Sequence, residues 1–188
     1  MNDQGPPVLE TPRLLLRPFG PADAPEVQRL AGAPEVADTT LNVPHPYEDG
    51  VAEAWIGGHA ARFAAGGGVN YAVTRRTDGA LMGSVSLIVT RRHRRAELCY
   101  WLGVPYWNQG YMTEAAGALV QHGFYPLDLY KIEATHLARN PASGRVMEKI
   151  GMTREGLLRG HVLKNGVPED LVVYGLLSAL CLSRPSAL

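Results

Sequence analysis

The segment Tyr106-Trp107-Asn108-Gln109-Gly110-Tyr111-Met112-Thr113-Glu114-Ala115 joins a strand-like run to a helix-like run, and its residue types suit anion binding. The first turn of a helix leaves several backbone N–H groups unpaired and carries partial positive charge. Phosphate oxygens fit such a nest when the backbone can come close to them. Gly110, which has no Cβ, allows that approach. The same glycine also suits a plain strand-to-helix turn, and the segment taken alone supports both readings. It is not a P-loop, because no Gly-Lys-Ser/Thr follows, and one glycine does not make a dinucleotide-binding fingerprint. Cys99 and Cys181 are neither in a C-x-x-C pair nor near a metal-spaced histidine, so neither a disulfide scaffold nor a zinc site is expected.

The elements that would carry this loop can be read from apolar spacing. Residues 1–12 are polar and proline-rich and read as a loose lead-in. Leu14–Pro18 is a short apolar strand closed by proline, and Pro21–Leu30 opens like a helix. Leu41–Tyr47 reads as a loop, and Glu48–Ala65 as a helix with Val51, Trp55, Ile56 and Phe63 at helical spacing, ended by three glycines. Asn70–Arg75 and Leu81–Thr90 are strands joined through Asp78-Gly79, and Arg95–Val104 completes an antiparallel meander. Then follow a helix over Thr113–Phe124 capped by Thr113, a strand over Lys131–Leu137 and a helix over Pro141–Ile150 closed by Gly151. Met152–Leu163 and Gly166–Leu177 form a final hairpin, which makes the whole a mixed α/β sheet in one domain.

With 188 residues, 46% hydrophobic and 19% charged, the chain can build one core without metals or disulfides. A formal net charge of zero argues against a dedicated nucleic-acid binder. The run Arg91-Arg92-His93-Arg94-Arg95 reads as a solvated hairpin tip, although beside a substrate mouth it would attract acidic ligands. No signal peptide or membrane-length apolar stretch occurs, so the expectation is a cytoplasmic protein with no membrane partner.

Several of these segments together resemble a known family. A strand, a proline-aromatic turn, Trp-Asn-Gln-Gly-Tyr-Met-Thr-Glu-Ala, a helix, a strand, then Asn140-Pro141-Ala142-Ser143 and a helix ending Met147-Glu148-Lys149-Ile150-Gly151-Met152 are similar to the GNAT acetyltransferases. The opening Glu10-Thr11-Pro12-Arg13-Leu14-Leu15-Leu16-Arg17 and the closing Tyr174-Gly175-Leu176 point within it to the RimJ/RimL-like ribosomal-protein alanine N-acetyltransferases. The resemblance runs over about residues 9–178 and places the domain at 13–180, with a tail at 181–188. It implies an α/β GNAT fold: a mostly antiparallel sheet of about seven strands, splayed at its centre and flanked by about four helices. The family's loop pattern is Gln/Arg-x-x-Gly-x-Gly/Ala. Here Trp107 and Met112 depart from it and Gly110 keeps it.

The resemblance also implies a chemistry. The co-substrate is acetyl-CoA, no metal is involved, and the acceptor is an amine attacked directly within a ternary complex. Pantetheine would pair with backbone groups of Leu102 and Val104, as an added strand does. N–H groups of Gln109, Gly110, Tyr111, Met112 and Thr113 would take the pyrophosphate, and one near Leu102 would face the developing oxyanion. Asn140 would bond the pantetheine arm, and Arg145 and Lys149 would face the nucleotide, though Lys149 also reads as a solvated helix lysine. Glu97 would act as base through a water, or else be a paired surface carboxylate beside Arg94 and Arg95. Many such enzymes offer the leaving sulfur a tyrosine where this chain has Met147. Ser143 would hydrogen-bond the sulfur instead, or cap its helix, or both. His45, Tyr47, Trp55, Asn70 and His161 would line the acceptor side. A protein or peptide N-terminus is the leading acceptor, a small-molecule amine the alternative and a non-catalytic CoA sensor a further one. The assembly would be a monomer or homodimer.

Overall fold

A computed structural model describes residues 5–179, so Cys181 and the tail at 181–188 lie outside the described residues. Apolar runs broken by glycine and proline fold as β1 (Leu9–Glu10), β2 (Leu14–Pro18), β3 (Gly68–Arg75), β4 (Leu81–Thr90), β5 (Arg95–Leu102), β6 (Lys131–Leu137), β7 (Thr153–Lys164) and β8 (Val167–Leu177). They form one eight-stranded sheet in the order β1-β2-β3-β4-β5-β6-β8-β7. Every neighbouring pair is antiparallel except β5 with β6. A parallel pair needs a crossover, and α5 (Tyr111–Phe124) supplies it. The other helices are α1 (Ala24–Ala31), α2 (Pro34–Thr39), α3 (Val51–Gly57), α4 (His59–Ala64) and α6 (Pro141–Lys149).

Side-chain alternation along the strands builds a separate core on each face. Leu14, Leu16, Val69, Tyr71, Val73, Val85 and Leu87 pack with Ala115, Ala116, Leu119 of α5 and Met147 of α6. On the opposite face Ala72 and Leu81 pack with Ala24 and Val27 of α1 and with Ala52 and Ile56 of α3. The sheet is therefore sandwiched between α5–α6 and the helices of the first third of the chain. No helix among the described residues is long and apolar enough to cross a membrane.

One pairing decides where a ligand can enter. The parallel ladder between β5 and β6 has only three register pairs, Arg95 with Lys131, Ala96 with Ile132 and Glu97 with Glu133. Beyond Glu97 the two strands separate, and the sheet is open at its centre.

Several sequence expectations need correction. Leu9–Glu10, placed in the lead-in, is an edge strand paired with β2 and brings the sheet to eight strands. Helix α2 is six residues long and has no counterpart in the sequence reading. The helix expected over Glu48–Ala65 is two helices, broken at Gly58. Helix α5 begins two residues before Thr113, and Gly110 is its N-cap. Strand β5 ends at Leu102, because Val104–Tyr106 folds as a turn of 3-10 helix with proline at its centre.

Candidate functional site

The turn into α5 has the geometry of an anion nest. Gly110 sits at φ +78°, a left-handed conformation that a side chain would strain. The first backbone bond of the helix runs from Glu114 N to Gly110 O (3.1 Å). The N–H groups of Gln109, Gly110, Tyr111, Met112 and Thr113 donate to no atom of the described residues. The nest is held from outside by the start of the chain. The Glu114 carboxylate accepts from Thr11 Oγ1 (2.6 Å), Arg13 N (2.9 Å) and Arg13 Nε (2.6 Å). Arg13 also donates to Gln109 O (3.0 Å) and lies 4.5 Å from the centre of the Tyr111 ring.

From this nest a cleft of about 280 Å³ runs along the gap between β5 and α6. Leu102, Gly110, Tyr111, Met112, Thr113, Asn140, Ser143, Arg145 and Lys149 all line it. Val104 and Gln109 do not. The Val104 carbonyl accepts from Trp107 N (3.1 Å), and the Gln109 side chain donates to Pro105 O (2.9 Å). The Leu102 carbonyl is engaged within the chain, by Trp107 Nε1 at 2.6 Å. Asn140 caps α6: its Oδ1 accepts from Ser143 N (3.4 Å) and its Nδ2 donates to Thr39 O (3.1 Å). Capping therefore falls to Asn140 and leaves the Ser143 hydroxyl for another partner.

That partner is Tyr100, which the sequence reading overlooked. Its hydroxyl donates to Ser143 O (2.9 Å) and lies 2.9 Å from Ser143 Oγ. Strand periodicity carries the signal: Leu98, Tyr100 and Leu102 share the face toward α5 and α6, while Glu97, Cys99 and Trp101 face the other way.

A second cleft, of about 470 Å³, opens on that other face. Tyr47, Trp55, Asn70, Glu97, Cys99 and Trp101 line it, and it shares Thr39, Thr40, Tyr100, Trp101 and Ser143 with the first. The two clefts meet at the Tyr100–Ser143 pair. Trp55 serves the core as well, edge-on to His59 (4.4 Å) and Phe19 (5.0 Å). His45 lies outside this cleft, in a separate hollow beside Lys164, and His161 is exposed on β7.

Comparison with known proteins identifies the family. The family model described as "Acetyltransferase (GNAT) domain" matches residues 13–153. The chain belongs to the GNAT acetyltransferases. It is 31% identical to the N-acetyltransferase YoaA of Bacillus subtilis over 172 residues, 90% of this chain and 96% of that one. A GNAT-family acetyltransferase of Bacillus anthracis superimposes with a TM-score of 0.80 at 26% identity, covering 90% of this chain and 98% of that one. RimL, a ribosomal L7/L12 alpha-N-protein acetyltransferase solved with coenzyme A, shares the fold with a TM-score of 0.84 at 18% identity, over 91% and 98% of the two chains.

This GNAT enzyme is an acetyl-CoA-dependent N-acetyltransferase. Its own residues fit the co-substrate: five free N–H groups at the α5 turn, Arg145 and Lys149 along the same cleft, and strands that part beside it. Acetyl-CoA supplies the activated acetyl group. The electrostatics at the junction are set by burial. Burial, and next the Glu133 carboxylate, raise Glu97 above the usual glutamate range, against a hydrogen bond from Thr135 and the charge of Arg95. Burial likewise pushes the Cys99 thiol up to about 12, with Glu97 adding to the effect and Arg62 opposing it. The Tyr100 phenol is also raised, chiefly by burial. Near neutral pH both Tyr100 and Cys99 therefore keep their protons. Among the described residues, no cluster of His, Cys, Asp or Glu could hold a metal ion.

Proposed function

We propose that this acetyltransferase modifies the N-terminal α-amino group of a protein or peptide, by direct attack with both substrates bound. The observation that carries the reading is that, among the described residues, Glu97 is the only carboxylate lining the acceptor cleft. An α-amino group titrates near ~8, so one carboxylate working through a water is enough to neutralise it at physiological pH; a lysine amine near ~10.4 asks for more. A polyamine brings several positive charges, and a cleft with one acid and one arginine, Arg62, does not match them.

In this reading Glu97 takes the amine proton through a water as the new C–N bond forms. The C–S bond breaks at the Tyr100–Ser143 junction, where the Tyr100 hydroxyl, relayed through or beside Ser143, donates to the departing sulfur. Cys99, held protonated by burial, is a weak nucleophile, which favours direct transfer over an acyl-enzyme. Action in the cytoplasm, where acetyl-CoA meets newly made N-termini, is part of the same proposal.

Thiol release from acetyl-CoA, measured across free-N-terminus peptides, N-blocked lysine peptides, spermidine and free amino acids, tests the acceptor. Turnover with free-N-terminus peptides is expected. Turnover confined to polyamines or other small amines would overturn the reading.

A further inference from the structure

The basic run at the β4–β5 turn is divided by the fold. Arg94 is bonded to Asp128 and Arg95 to Glu133. Arg91 and Arg92 have no carboxylate partner among the described residues, and neither does Arg62 at the end of α4. Two adjacent glycines lie against two of these cations, Arg91 and Arg62. A Cβ on Gly67 would stand 3.3 Å from Arg62 Cγ, and one on Gly66 would overlap the Arg91 guanidinium, whose Nε donates to Gly66 O at 3.0 Å. Arg62 lines the acceptor cleft, and Gly67 beneath it accepts from Val89 N (2.9 Å). Val89 pairs with Ala96 and Val85 with Tyr100. Four strand positions thus separate the level of the arginines from the reacting junction, about 13 Å at ~3.3 Å per residue.

We propose that Arg62, supported by Arg91, is a specificity site for acceptors carrying a carboxylate a few residues behind the reacting amine: N-terminal segments with Asp or Glu near positions three to five. The proposal rests on the N-terminal reading of the acceptor. An extended peptide with its amine at Tyr100–Ser143 would reach the arginines over that stretch. A guanidinium offers a carboxylate two parallel N–H donors and is always charged. The unpaired cluster also draws acidic segments to the cleft before contact and repels basic ones.

The test compares peptides sharing their first two residues and bearing Glu, Ala or Lys at positions three to five. Each is assayed with acetyl-CoA on wild type, Arg62→Gln and Arg62→Glu, and binding of the same peptides to the CoA-loaded protein is read by fluorescence anisotropy. Free aspartate and glutamate form a further arm: too short to span the roughly 13 Å from the junction to the arginines, they should show no dependence on Arg62. Wild type should favour the Glu peptide over the Ala peptide by about fivefold in kcat/KM and in binding, in line with an exposed charge pair. The margin should shrink in ~0.5 M salt. Arg62→Gln should erase the preference, and Arg62→Glu should invert it toward Lys. Binding that ignores peptide charge, or a preference intact in Arg62→Glu, overturns the proposal. Absence of turnover with every peptide overturns the N-terminal reading instead, while Arg62-dependent binding of the acidic peptide would still uphold the arginine site.

Discussion

The Tyr100 hydroxyl bridges the open centre of the sheet to Ser143, 2.9 Å from both its Oγ and its carbonyl oxygen. Met147, at the position where the family resemblance implies a tyrosine, is 1% exposed in the core and has no proton to give. The phenol therefore reaches the junction from the strand side. Tyr100→Phe should lower kcat by about 10²-fold, a usual size for a lost proton donor, and change the acetyl-CoA Kd by less than about threefold. Ser143→Ala should cost less, and the double variant should fall short of the product of the two, because they share one hydrogen bond. Single-turnover kinetics with calorimetric binding separate these outcomes; an unchanged kcat in Tyr100→Phe would remove the tyrosine from the mechanism.

Glu97 must be ionised to accept a proton. Burial raises its pKa, so the acidic limb of kcat/KM against pH should lie above the ordinary glutamate range, with activity rising as pH climbs through it. Glu97→Gln should abolish that limb and cost roughly 10²-fold at pH 7. The loss should be smaller near pH 9, where an α-amino acceptor is already neutral. Full pH–rate profiles of both proteins check this.

Gly110→Val forces a β-branched residue into φ +78° at the nest. Strain of about 1–3 kcal/mol should move the loop and weaken acetyl-CoA binding on the order of tenfold or more. A Kd within twofold of wild type would place the phosphates elsewhere.

The strand bounds were legible where turn chemistry was local: β4 and β6 match their expected limits residue for residue, and Asp78-Gly79 turns the hairpin. Helix α2 was not legible, because distant side chains hold it. Arg139, Asn140 and Lys164 donate in turn to the carbonyls of Asp38 (2.7 Å), Thr39 (3.1 Å) and Thr40 (2.6 Å). Six residues with that support give no periodic signal of their own. At the site, the loop glycine, Asn140, Ser143, Arg145 and Lys149 could be placed because motif order fixed them along one cleft. Residue type alone does not place His45 and His161, because only the tertiary fold defines the walls of the mouth. Val104 was assigned by extending a strand through a residue that Pro105 turns away.

The Thr11–Arg13 clamp on Glu114 gives a test that separates folding from binding. Partial burial pushes the Glu114 carboxyl up, but hydrogen bonds from Thr11 and Arg13 prevail and hold it below the usual range. A carboxylate depressed in the fold stabilises above its unfolded pKa, and that stability is lost as pH falls through the folded value. Glu114→Gln should lower Tm by about 2–4 °C at pH 7, with the difference vanishing in acid. It should also raise the acetyl-CoA Kd by loosening the nest. Thermal melts between pH 3 and pH 7 (about the range needed) read the sign.

His59 predicts acid sensitivity of another origin. Its ring is wedged against Trp55 and Phe19, neither ring nitrogen has a hydrogen-bond partner among the described residues, and burial, then Arg62, lowers its pKa to about 4. A histidine depressed in the fold stabilises above its unfolded value near ~6.5, and that contribution drains away as pH drops toward the folded one. His59→Phe should flatten the fall of the urea midpoint over that window. An equally steep fall would assign the sensitivity to carboxylates.

Because the clefts approach Tyr100–Ser143 from opposite faces of the sheet, the proposed reading has donor and acceptor arriving through separate doors. One wall of the acceptor door comes from the first third of the chain, and one wall of the thioester door from α5 and α6. Exchanging the segment around α3 and α4 for that of a relative would therefore retune which amine is chosen while leaving the grip on coenzyme A in place. A compound joining a CoA-like arm to a peptide through the narrow passage would gain its selectivity among relatives from the peptide half.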